Sequence, residues 1–172
     1  MRREPAWCTD PPAARNEGGV FSHSSGNSLL SPRNRAVVQL LQAAGLATIL
    51  FDLLSPAEDQ TYATRFHIVL LTRRLLGVAH WMTQQPTLAG LRVGYFGAST
   101  GAALALGAAA ELGSAVGAVV SRGGRADLTL PVPHRVRAPT LMLVGGNDDS
   151  FITLNEQALQ VIGPTSKLRT IP

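Results

Sequence analysis

The residues best suited to chemistry are Gly97-Ala98-Ser99-Thr100-Gly101. They fit the pattern G-x-S-x-G and lie between an apolar run and an Ala-rich run. A strand that turns sharply into a helix strains the residue at the turn and crowds its neighbours; glycines two before and two after relieve that crowding. A serine there projects its Oγ above the sheet. The next backbone N–H, of Thr100, points to the same place from a helix N-terminus and is suited to stabilise an oxyanion. That is the equipment for nucleophilic attack on an acyl group. The plain alternative is a glycine-rich connection with no chemistry.

The elements around this turn must hold it. Val20-Phe21 reads as a short strand, followed by a polar loop over 22–28. Ser31-Pro32 opens a helix to Ala44, with Val37, Leu40, Leu41 and Ala44 on one face and Gly45 as its stop. Leu46–Leu54 is nearly continuous apolar sequence, as in a strand covered on both faces. A polar loop over 55–61 leads to a long helix over 62–84, with the stripe Leu71, Leu75, Val78 and Met82. Strands are then predicted at 91–96, 115–120, 140–144 and 167–171, and helices at 100–112 and 154–162. Strands alternating with amphipathic helices imply a parallel sheet with helices on both faces, and in such α/β folds the chemistry sits at the carboxyl ends of the strands.

The chain has 172 residues, of which 45% are hydrophobic and 15% charged, which suits one folded domain and excludes wholesale disorder. Aromatic residues make up only 5%, so Ala, Leu, Val and Ile must build the core. The net charge is +4, from 14 arginines, one lysine (Lys167) and 11 acidic residues. The cations form no run longer than two, which argues against a nucleic-acid partner. The single cysteine, Cys8, excludes an internal disulfide and a cysteine metal site. Residues 93–110 carry no charge, but they contain Gly94, Gly97, Gly101 and Gly107. A strand, a turn and a buried helix explain them better than a membrane span. No apolar signal segment follows Arg2-Arg3, so the expected location is the cytoplasm. Residues 1–18 read as an irregular segment and 19–172 as the domain.

Several segments together resemble the bacterial dienelactone-hydrolase-like α/β hydrolases with a serine nucleophile. They are Ser31-Pro32-Arg33-Asn34-Arg35, Gly94–Gly101, Ser121-Arg122-Gly123-Gly124-Arg125 with Asp127, and Val144-Gly145-Gly146-Asn147-Asp148. The resemblance covers about residues 19–172. It implies an α/β-hydrolase-type, mostly parallel sheet, and hydrolysis of a small-molecule ester, lactone or related acyl bond, with no cofactor and no metal. Ser99 would be the nucleophile and Asp148 the acid that orients a histidine; Asp149 is the neighbouring alternative, and a Gly-Asn-Asp turn is the plain one. The second oxyanion donor would come from Ser24 or Ser25, where the family usually has glycine after histidine, with His23 buttressing the loop. Arg122 and Arg125 would overhang the pocket and grip a substrate carboxylate; pairing with Asp127 is the bland alternative.

In α/β hydrolases the order along the chain is serine, acid, histidine. The histidines here are His23, His67, His80 and His134, and none follows Asp148. His67 and His80 fall on the helix predicted for 62–84, and His134 precedes a strand, at its amino end. The expectation is a hydrolase domain incomplete at its N- and C-terminal ends, weak or inactive for want of the base. The alternative is a non-catalytic hydrolase-like scaffold or binding protein that self-associates through an uncovered sheet edge. A dinucleotide-binding domain ranks last, because G-x-G-x-x-G is absent at the first strand–helix turn.

Overall fold

The computed structural model describes residues 17–22, 31–129 and 133–172. In chain order the elements are β1 (Glu17–Ser22), α1 (Pro32–Ala43), β2 (Ala47–Leu50), α2 (Tyr62–Arg65), α3 (Ile68–Thr83) and β3 (Arg92–Ala98). They continue with α4 (Thr100–Leu112), β4 (Val116–Arg122), β5 (Thr140–Gly145), α5 (Asp149–Val161) and β6 (Lys167–Ile171). The strands form one sheet in the order β2-β1-β3-β4-β5-β6, and every neighbouring pair is parallel. From β1 the chain steps outward to β2, then crosses to β3 on the other side. The direction of winding therefore changes between β1 and β3, and a crevice opens at the carboxyl ends of such a pair. Ser22 of β1 lies in register with Gly97 of β3, so the Gly97–Gly101 turn stands at that crevice.

Helix α4 follows the turn directly and is buried on every side from Thr100 to Ala110. Its Ala and Gly content permits this, because small side chains let neighbouring layers approach closely. At Gly107, a methyl group would come within 3.3 Å of Thr72 on α3. Leu71, Leu75 and Met82 of α3, Leu104 and Leu106 of α4, Tyr95, Val119 and Met142 share one core.

Several expectations need correction. The strand expected over 46–54 pairs only at Ala47–Leu50. Phe51 stays buried, but the chain then leaves the sheet, and the Leu53 carbonyl accepts a bond from Arg74 (2.8 Å). The helix expected over 62–84 is two helices, broken at Phe66–His67, where His67 leaves helical geometry (φ −78°, ψ 76°) and caps α3. Its buried stripe runs through Ala79 where Val78 was expected. On α1 the buried position is Asn34, whereas Leu40 is 70% exposed. Helix α5 begins at Asp149, five residues before the expected start, because Asp148 caps it. By contrast, α4 and β6 have the predicted bounds. The strand predicted at Val20-Phe21 extends over Glu17–Ser22, so it begins within the segment read as irregular.

Candidate active site

Ser99 is the one residue other than glycine with positive φ among the described residues (φ 52°, ψ −122°). This backbone costs of order 1–3 kcal/mol and persists only where the surroundings impose it. They do so from two sides. A Cβ at Gly97 would lie 2.5 Å from the Gly101 carbonyl carbon and 2.6 Å from the Ala102 nitrogen, so only glycine fits that close approach. The Ser99 N–H donates to the Arg122 carbonyl (3.1 Å), and the Ser99 carbonyl accepts from the N–H of Ala102 (3.1 Å) and of Arg125 (3.2 Å). The serine is exposed, whereas Ala98 and Thr100 beside it are buried. Thr100 opens α4, so its N–H is among the four that have no acceptor within the helix.

The same sheet edge carries the other candidates. Ala98 of β3 registers with Arg122 of β4, which registers with Leu143 of β5. Ends of β3 and β5 are thus two strand spacings apart, about 10 Å. Asp148 follows β5 and caps α5: its Oδ1 accepts from the Phe151 N–H (3.3 Å) and from the Ser150 hydroxyl (3.0 Å). The carboxylate is exposed. Asp149 is the first residue of α5.

The two loop arginines differ. Arg125 donates to Asp127 through Nε (2.8 Å) and Nη2 (2.7 Å), the bland pairing weighed from sequence. This bond holds the Asp127 carboxyl below its ordinary range. Arg122 lies with its guanidinium 5.6 Å from the centre of the Phe96 ring. Burial, and then the charge of Arg33, lower its pKa. Ser24, Ser25 and His23, expected near the second oxyanion donor, lie outside the described residues, as does Cys8.

No histidine bonds Ser99 or Asp148 among the described residues. The Nδ1 of His67 accepts the Leu70 N–H (3.2 Å), capping α3 rather than meeting Ser99. His80, near the end of α3, pairs with the Gln84 amide (3.0 Å). His134 stands exposed in a short 3-10 turn, Pro133–Arg135, before β5, toward the amino end of the sheet.

Sequence reasoning missed two polar anchors. Ser55 and Glu58 form a reciprocal cap: the Ser55 N–H donates to Glu58 Oε2 (2.9 Å) and the Glu58 N–H to Ser55 Oγ (3.4 Å). The S-x-x-E spacing was the available signal. Asn155 on α5 is fully buried and donates to the Gly124 carbonyl (3.0 Å). Its signal was a polar residue inside an apolar helical face.

A parallel sheet, an abrupt strand-to-helix turn and a strained serine at its apex together define an α/β hydrolase fold. The chain belongs to the dienelactone-hydrolase-like family of α/β hydrolases. It is 48% identical to a dienelactone hydrolase from Anabaena variabilis, with a TM-score of 0.90 over 94% of this chain and 77% of that one. An α-β serine hydrolase homologue from Coxiella burnetii shares the fold at 15% identity, with a TM-score of 0.73 over 94% of this chain and 78% of that one. Est1E from Butyrivibrio proteoclasticus does so at 15% identity, with a TM-score of 0.71 over 94% and 81%. Two curated relatives from strains of Mycobacterium tuberculosis, each named "Putative phosphoribosyl transferase", are 51% identical over 153 residues. Those residues are 89% of this chain, and the match spans about a third (34%) of each relative's length. No family model matches the chain. Among the described residues, no helix is long and apolar enough to cross a membrane.

Proposed function

We propose that this chain is a serine hydrolase module acting on a small-molecule ester or lactone. The observation that carries the reading is the backbone of Ser99, held at φ 52° and exposed at the carboxyl edge of the sheet. Ser99 Oγ bonds the acyl carbon as its proton passes to a base or to solvent, and the Thr100 N–H receives the developing oxyanion together with an N–H from Ser24 or Ser25. The acyl C–O bond then breaks, the alkoxide leaves as the protonated alcohol, and water hydrolyses the acyl-serine to the free acid. Asp148 serves as the acid of the triad. Arg122 faces the substrate, while Arg125 keeps its carboxylate partner and shapes the loop. The reading takes the chain as a cytoplasmic protein.

A serine hydroxyl is a weak nucleophile without a base, and no histidine of this sequence follows Asp148. Turnover by these 172 residues alone is therefore expected to be very low, because loss of one triad member removes most of the acceleration. A second reading, a hydrolase-like scaffold that binds a ligand or pairs through a sheet edge without turnover, is favoured by the lack, among the described residues, of a histidine bonded to Ser99 or Asp148. The name of the mycobacterial relatives does not carry over, since most of their length lies outside the match and the matched part has the hydrolase fold. The test is hydrolysis of an activated short-chain ester by the chain and by Ser99→Ala. A faster rate for the chain supports the nucleophile; equal rates leave the scaffold reading.

A further inference from the structure

We propose that Asn155 is a positioning residue that fixes the nucleophile turn relative to helix α5; this rests on the hydrolase reading above. The loop after β4 clamps Ser99 from both sides, through the Arg122 carbonyl and the Arg125 N–H. Of the two glycines between these contacts, Gly124 accepts at its carbonyl from Asn155 Nδ2 at 3.0 Å, across 31 positions of sequence. The same Nδ2 donates to the Phe151 carbonyl within α5 (2.8 Å). No side chain fits at Gly124: a Cβ there would collide with Ser121 Oγ and lie 2.6 Å from the Ala102 methyl, so the loop packs closely against β4 and α4. The neighbouring Gly123 N–H is fastened to the Leu143 carbonyl of β5 (2.7 Å). The loop is thus held by β5 at one residue and by α5 at the next.

The geometry also links the two proposed catalytic groups. Asp148 caps α5, and Asn155 follows two turns later on the same helical face, about 10 Å along the axis. One rigid helix therefore carries the acid at its start and grips the serine's loop further along.

Stability alone does not explain the amide. Asn155 is fully buried, and its Oδ1 has no hydrogen-bond partner among the described residues. A buried acceptor left without a partner is unfavourable, and an aliphatic side chain on this apolar face would avoid that cost. What an aliphatic residue cannot do is donate to Gly124.

The test compares amide hydrogen exchange in the full chain and in Asn155→Leu, Asn155→Asp and the packing control Leu159→Ala. In Asn155→Leu, the amides of Ser99 and Arg125 should exchange at least about tenfold faster while those of α3 keep their protection, the loss of one hydrogen bond's worth of restraint. In Leu159→Ala, any loss should be spread evenly over the domain. Asn155→Asp supplies a donor only when its carboxyl is protonated. Its excess exchange at Ser99 and Arg125, corrected for intrinsic rates, should therefore appear as pH rises and vanish as pH falls. This arm decides the matter if the leucine variant does not fold. In the ester assay, Asn155→Leu should lose about tenfold in kcat at unchanged KM, as expected of a misplaced nucleophile. Unchanged exchange at the two amides, or an even loss like that of Leu159→Ala, overturns the proposal. Because exchange needs no turnover, its failure is distinguishable from equal ester rates for the chain and Ser99→Ala, which would sink the hydrolase reading instead.

Discussion

Ser99 occupies a backbone conformation that L-residues avoid, and the surrounding bonds show what forces it there. Replacing it by glycine removes the steric conflict but adds freedom to the unfolded chain; the two effects are about 1–3 and 0.4–1 kcal/mol. Ser99→Gly is therefore expected to be more stable than the parent by about 1 kcal/mol, seen as a higher denaturant midpoint at unchanged slope. A lower midpoint would mean that the serine is not strained. Asp148 makes the opposite case. Its carboxylate caps α5, so Asp148→Ala should cost about 1 kcal/mol in the same measurement, whatever its part in catalysis. The sharp turn at Ser99 was legible because Gly97 admits no side chain; the capping role of Asp148 was not, since the helix was expected to begin only at Leu154. Asn155 was not legible as an anchor. Its acceptor is a backbone carbonyl 31 residues away, and nothing local in the sequence encodes that distance.

Among the elements, the segment after β2 departs most from expectation. It leaves the sheet early and is tied to α3 by Glu58, whose carboxylate meets Arg74 at 2.5 and 2.9 Å. The Arg74 guanidinium, with the Ser55 N–H and hydroxyl, lowers the Glu58 pKa from its ordinary 4.5 to about 2. A carboxyl with a depressed folded-state pKa stabilises the fold above its ordinary value and ceases to do so as pH falls through the folded one. The stability difference between the parent and Glu58→Gln should therefore be constant at neutral pH, shrink below about pH 4.5 and disappear near pH 2. A difference that does not change across that range would rule the pair out as the cause. The break between α2 and α3 was invisible to periodicity because Tyr62–Arg65 and Ile68–Thr83 both favour helix. The interruption coincides with local side-chain bonds that hydrophobic period does not register: Arg65 turns back to the Asp59 carbonyl (2.6 Å), and His67 caps α3. Elements whose burial is uniform, such as α4, had no such conflict and kept their predicted ends.

At the scale of the whole molecule, the parallel order of the strands places the turn at the point where the winding reverses. The α/β class and that site followed from the alternation of apolar strands and helices. Strand order did not, because pairing between distant segments leaves no local mark. Among the described residues no histidine bonds Ser99: His67 Nδ1 accepts a backbone N–H, and His134 stands toward the amino end of the sheet. A small external base can activate Ser99 without any histidine of the chain. The most direct measurement is hydrolysis of an activated acetyl ester as imidazole is titrated, for the chain and for Ser99→Ala. If Ser99 is the nucleophile, the rate of the chain minus that of Ser99→Ala grows with imidazole concentration, beyond the ester cleavage imidazole causes in solution. Identical rates for the two proteins at every imidazole concentration would contradict a nucleophilic Ser99.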